Sequence, residues 1–93
     1  MRQSITTKYL GPTNTRGSRI VAKAQAGKIT IAWDHALDSA DNHIAAAKAF
    51  ASKYGWTGRW VGGALPDGLG YCFVLSIGAN DYDFVVTDTD VRS

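Results

Sequence analysis

Only one segment of this chain repeats its apolar side chains at helical spacing; the stretches on either side alternate at the period of a strand. From Asn42 to Tyr54 the sequence is rich in alanine and free of glycine and proline. His43, Ala47, Phe50, Ala51 and Tyr54 share one helical face, with Ile44 beside them, while Asp41, Ala45, Lys48 and Ser52 point the other way. Asp38 or Ser39 can cap the start by accepting a bond from an early backbone N–H, and Asp41 suits the positive end of the helix dipole. Gly55 is placed to turn left-handed after the last turn, which folds Trp56 back on Phe50 and Ala51. A lone helix must bury its stripe on something, and the flanking strands supply a sheet.

Before the helix, Ser4–Leu10 sets Ile5, Thr7 and Tyr9 against Thr6, Lys8 and Leu10. Arg19–Gln25 sets Ile20, Ala22 and Ala24 against Arg19, Val21, Lys23 and Gln25. Lys28–Trp33 sets Ile29, Ile31 and Trp33 against Lys28, Thr30 and Ala32. The short Ala26-Gly27 turn makes the second and third strands a hairpin. After the helix, Arg59–Leu65 and the nearly all-apolar Tyr71–Ile77 read as a second hairpin around Pro66-Asp67-Gly68, with the apolar strand central. Tyr82–Val86 is either an edge strand or an arm, and residues 87–93 read as a loose tail. The expected fold is α+β: one domain over residues 1–93, an antiparallel sheet of about five strands in the order βββαββ, and the helix packed on one face.

At 93 residues, 45% apolar and 19% charged, the chain suits one core and leaves little mass for a deep catalytic cleft. A single cysteine, Cys72, excludes an internal disulfide. The stretch Met1-Arg2-Gln3-Ser4 lacks the apolar run of a signal peptide, and no run nears the roughly 20 apolar residues of a membrane span, so a cytoplasmic protein is expected, with no membrane partner.

Charge is unevenly placed. Residues 1–33 carry Arg2, Lys8, Arg16, Arg19, Lys23 and Lys28 and no acid, whereas residues 61–93 carry Asp67, Asp81, Asp83, Asp88 and Asp90 against Arg92. Two candidate binding surfaces follow: a basic one of Lys8, Arg16, Arg19, Lys23 and Lys28, and an acidic one of Asp81, Asp83, Asp88 and Asp90. The competing account is that these charges simply solvate the outer faces of strands.

Catalytic patterns are weak. His35 follows Asp34, and a Cys–His pair is a known nucleophile and base, but Cys72 sits in the most apolar strand, where a thiol is usually inert packing. His43 lies on the inward helical face and reads as packing. No phosphate loop, dinucleotide fingerprint or nucleophile elbow is present, and no metal or cofactor is implied.

Binding patterns are stronger. The loop Gly11–Ser18, with Arg16 inside and Arg19 just after, offers cations and exposed amides to phosphates, and Lys8, Lys23 and Lys28 extend that patch. The order βββα is shared with double-stranded-RNA-binding domains, but their lysine cluster at the start of the last helix is missing, and Asp38 and Asp41 stand there instead. Three Trp and four Tyr supply interface anchors as well as core, with Trp56 and Trp60 near a loop. The aspartates interleaved with Tyr82 and Phe84 can occupy a basic groove in place of phosphates.

The run Ile5-Thr6-Thr7-Lys8-Tyr9-Leu10-Gly11-Pro12-Thr13-Asn14-Thr15-Arg16-Gly17-Ser18-Arg19, with Trp33-Asp34-His35, Asn42-His43 and Gly62-Gly63-x-x-Pro66-Asp67-Gly68, resembles a family of small proteins carried by bacterial phages, plasmids and integrated elements. The resemblance covers about the first three-quarters of the chain. In size, setting and element order that family is similar to anti-CRISPR and other anti-defence inhibitors, which act by covering a nucleic-acid-binding or nuclease surface. It implies a non-catalytic inhibitor of a host defence complex, such as a CRISPR-associated effector, and carries no catalytic residue onto this chain. The alternative is a small RNA- or DNA-binding accessory protein using the basic loop and hairpin. An open edge strand can also pair two copies into a dimer.

Overall fold

Strict alternation over residues 4–32 puts one side chain in two on the inner face of three successive strands, and a computed structural model shows how these are assembled. It describes residues 4–15, 17–66, 68, 70–75 and 83–87. The elements are β1 (Ser4–Leu10), β2 (Arg19–Ala24), β3 (Gly27–Ala32), α1 (Ser39–Lys53), β4 (Gly58–Ala64), β5 (Gly70–Leu75) and β6 (Phe84–Val86). They form one sheet in the order β3-β2-β1-β5-β4-β6, antiparallel at every pairing.

The expected architecture of one helix on an antiparallel sheet holds, with one correction. The sheet has six strands, because Phe84–Val86 pairs with β4, setting Phe84 opposite Trp60 and Val86 opposite Gly58. Phe84 and Val86 are both buried, so even a three-residue strand has an apolar reason to join.

The strand phases are those of the sequence. Ile5, Thr7, Ile20, Ala22, Phe73, Trp60, Phe84 and Val86 lie under the helix, which contributes Ala46, Ala47, Phe50 and Ala51. The helix packs on β1, β2, β3, β5 and β6. It carries the chain from edge strand β3 across β2, β1 and β5 to β4, which runs parallel to β3. As expected from its apolar sequence, β5 is interior, between β1 and β4. Trp60, near a loop in the sequence and so not expected to be fully buried, is 0% exposed: it stacks on Phe84 at 6.0 Å and on half-buried Trp56 at 6.2 Å. Where Gly62 crosses Phe73, a β-carbon would run into the Phe73 ring and lie 2.8 Å from the Cys72 carbonyl oxygen.

Both helix ends are built by local chemistry. Asp38 is the N-cap, its Oδ1 accepting from the Asp41 N–H at 2.8 Å. At the other end Gly55 takes φ 72°, the Trp56 N–H donates to Ala51 O at 2.9 Å, and the Gly55 N–H donates to Ser52 O at 3.3 Å. This turn drops Trp56 edge-on against Phe50, ring centroids 5.5 Å apart. No described helix is long and apolar enough to cross a membrane.

Candidate functional site

The strand phase that turns Ile5, Ile20 and Ile29 toward the helix sends the intervening side chains to the face without it. Lys8 on β1, Arg19 and Lys23 on β2, and Lys28 on β3 all lie there. The register assembles them into a grid. Lys28, Lys23 and Thr6 stand side by side across three strands; Thr30, Val21 and Lys8 form the next row; Ala32, Arg19 and Leu10 the one after. Neighbouring strands are about 4.8 Å apart. Lys8, Lys23 and Lys28 are exposed. On this face of β1–β3 the described side chains include no acid.

Arg19 differs from the lysines. It is half-buried, and its Nη1 is buried without a hydrogen-bond partner among the described residues. It borders a shallow depression of about 320 Å³ formed with Gly17, Ser18, Thr30, Ile31 and Ala32. A guanidinium nitrogen withdrawn from water and lacking an acceptor is costly unless something supplies one.

Of the remaining residues singled out from the sequence, Arg16, Asp81, Asp88 and Asp90 lie outside the described residues. Asp83 is described, and its carboxylate accepts from the Gly62 N–H at 2.7 Å while its own N–H donates to Trp60 O at 2.8 Å. It thereby clasps the start of β6 to β4. The face of β4–β6 shared with the cations is more apolar, bearing Val61, Val74 and Val85, together with Arg59, which sequence reasoning did not single out; its position one residue before buried Trp60 was the available signal.

The Cys72 thiol and the His43 imidazole are not brought together. Cys72 is half-buried and alternates with Tyr71 and Phe73, so it belongs to the helix-free face. His43 is buried on the opposite face, its Nδ1 2.7 Å from Thr7 Oγ1. A Cys–His dyad is therefore excluded by the sheet that lies between them. No group of three or more His, Cys, Asp or Glu side chains is placed to hold a metal among the described residues.

His43 instead lines a cavity of about 290 Å³ at one end of the sheet, with Tyr9, Ser18, Trp33, His35, Ser39 and Gly68. Its ring lies over Tyr71 at 4.5 Å and edge-on to Trp33 at 6.3 Å, while Tyr9 meets Trp33 edge-on at 4.9 Å. Tyr9 Oη and Ser18 Oγ, 3.1 Å apart, close one wall. Burial lowers the His43 pKa from its ordinary value, favouring the neutral ring. The loop carrying His35 is fixed by Asn42, which is buried. Its Nδ2 donates to Asp34 O at 3.0 Å, Leu37 O at 3.3 Å and Asp38 O at 3.0 Å, and its Oδ1 accepts from the Asp34 N–H at 2.9 Å.

This cavity was missed from the sequence. The available signal was that Tyr9 and Trp33 sit at the ends of inward strand phases, close to where the helix begins.

No protein-family model, curated protein or solved structure matches the chain.

Proposed function

We propose that this chain is a non-catalytic binding protein whose helix-free sheet face, over β1–β3, docks on the phosphate backbone of a nucleic acid. The observation that carries the reading is the gathering of Lys8, Arg19, Lys23 and Lys28 on that face without a carboxylate among them. Lys23 and Lys28 are directly opposed. Like charges at such positions destabilise a sheet, so the pair has a reason to persist if an anion lies over it. Arg19 Nη1 supplies a desolvated donor beside a shallow depression, where a phosphate oxygen completes its hydrogen bonding. The lysines act as exposed point charges, giving affinity without sequence preference.

A second reading keeps the surface and changes the target: an inhibitor of a host nucleic-acid-handling defence complex, as the phage-family resemblance implies. Val74, 38% exposed on the adjoining part of the face, favours a protein partner there.

Anisotropy of a fluorescent single-stranded oligonucleotide, titrated at several salt concentrations, tests the first reading. Binding should weaken steeply with salt, and each of Lys8→Gln, Lys23→Gln and Lys28→Gln should lower the magnitude of the log–log slope by about 0.7. No binding at low salt, or a slope indifferent to these changes, would overturn it. Capture of a defence complex by a chain that ignores bare oligonucleotide would favour the second.

A further inference from the structure

The cavity bounded by Tyr9, Trp33 and His43 has no part in the reading of the open face, since it lies on the helix side of the sheet. Three of its walls are aromatic rings, and Ser18 and Ser39 add hydroxyls. No carboxylate, lysine or arginine of the described lining is there to pair with an ionic guest. His43 is 2% exposed, and its Nδ1 is taken by Thr7.

We infer that this cavity takes one uncharged, planar heterocycle, an unpaired nucleobase, stacked on the aromatic walls with its polar edge toward His43 and the Ser18 and Ser39 hydroxyls. A volume of about 290 Å³ lies at the small end for ligand sites, enough for a base and too small for a dinucleotide. Stacking on aromatic side chains with hydrogen bonds to a base edge is how unpaired bases are held. Ser18 lines both this cavity and the depression beside Arg19, so a strand with its phosphates on the open face has a short route round the end of the β1–β2 hairpin. The choice of a nucleobase rests on the nucleic-acid reading of that face; the preference for an uncharged planar guest rests on the cavity alone.

Free adenosine, cytidine and uridine carry a base without a phosphate and so probe the cavity separately from the lysines. Titrated into the full chain, at least one should give saturable NMR shifts at the His43 and Trp33 rings. Ser39→Leu, at the exposed first position of α1 with the Asp38 cap intact, should fill the mouth and weaken binding about tenfold. Lys48→Gln, on the outer face of the helix, should leave it unchanged. Absence of saturable shifts at millimolar nucleoside, or shifts that Ser39→Leu leaves intact in a folded protein, overturns the inference. Nucleoside binding without oligonucleotide binding retains the cavity and removes the open-face reading; the converse removes the cavity alone.

Discussion

Thr7 on strand β1 and His43 on helix α1 are joined by a 2.7 Å hydrogen bond between Oγ1 and Nδ1, with both residues buried. Thr7 sits between Ala22 and Tyr71 in the register, so the bond pins the helix over the middle of the sheet and sets the His43 ring against Tyr71. The side chain that tethers the helix thus also presents its ring to the cavity.

Replacing that hydroxyl by a methyl tests the tether. Thr7→Val nearly preserves shape but leaves a buried imidazole nitrogen unpaired, and it should cost about 1–3 kcal/mol in urea unfolding. Thr7→Ser, which keeps the hydroxyl, should cost less.

His43 also gives stability a pH dependence of defined sign. Its folded pKa lies below the ordinary 6.5 because burial disfavours the charged ring. Above that value neither state binds the proton and the contribution is flat. As pH falls through 6.5 the unfolded chain takes up a proton that the folded chain refuses, so stability declines until the lowered folded pKa is passed. Urea midpoints measured from neutral to mildly acidic pH should show this decline, and His43→Gln should remove the part due to this ring.

Gly62 and Gly63 are neighbours with opposite tolerances. A methyl at Gly62 would strike Phe73, whereas one at Gly63 meets nothing within 4 Å. Gly62→Ala should destabilise by about 1–3 kcal/mol, and Gly63→Ala should be close to neutral, as read by thermal melts of the two variants.

For Asp83, charge and hydrogen bonding separate cleanly. Asp83→Asn removes the charge but keeps an oxygen able to accept from Gly62 N–H, whereas Asp83→Ala removes both. Hydrogen exchange in β6 should accelerate in the alanine variant and change little in the asparagine one. If the acidic surface contacts a partner, the asparagine variant should weaken capture while leaving β6 intact.

Lys23 should show opposed effects on stability and binding. Lys23→Thr relieves its repulsion with Lys28 and supplies a β-branched residue, which should stabilise the fold by about 0.2–1 kcal/mol. The same variant should bind oligonucleotide more weakly. A parallel rise in both would show that the lysine has no role in binding.

The parts of this molecule legible in its sequence are those set by near neighbours. Alternation in β1, β2 and β3 placed Lys8, Arg19, Lys23 and Lys28 in one phase, and cap chemistry placed Asp38, Gly55 and Trp56. What required the fold was long-range. Trp60 sits beside a loop in the chain, yet it is fully buried, with Phe84 of β6 and Trp56 stacked on it. Asn42 looks like an ordinary polar residue near a helix start until its amide is seen tying down three carbonyls. The cavity draws Tyr9, Trp33 and His43 from three elements, and no local pattern encodes their convergence.

The sheet order has a consequence for how the chain is made. β1 pairs on one side with β2, which follows soon after it, but on the other with β5, where Ile5 waits for Phe73. A chain emerging from the ribosome can close the N-terminal hairpins early, yet one flank of β1 has no backbone partner until most of the polypeptide has been synthesised. Loop closure over that separation should slow folding. Until it occurs, a threonine- and isoleucine-bearing edge lies open to other nascent copies, so yield should depend on expression rate and temperature more than the stability of the finished protein would suggest.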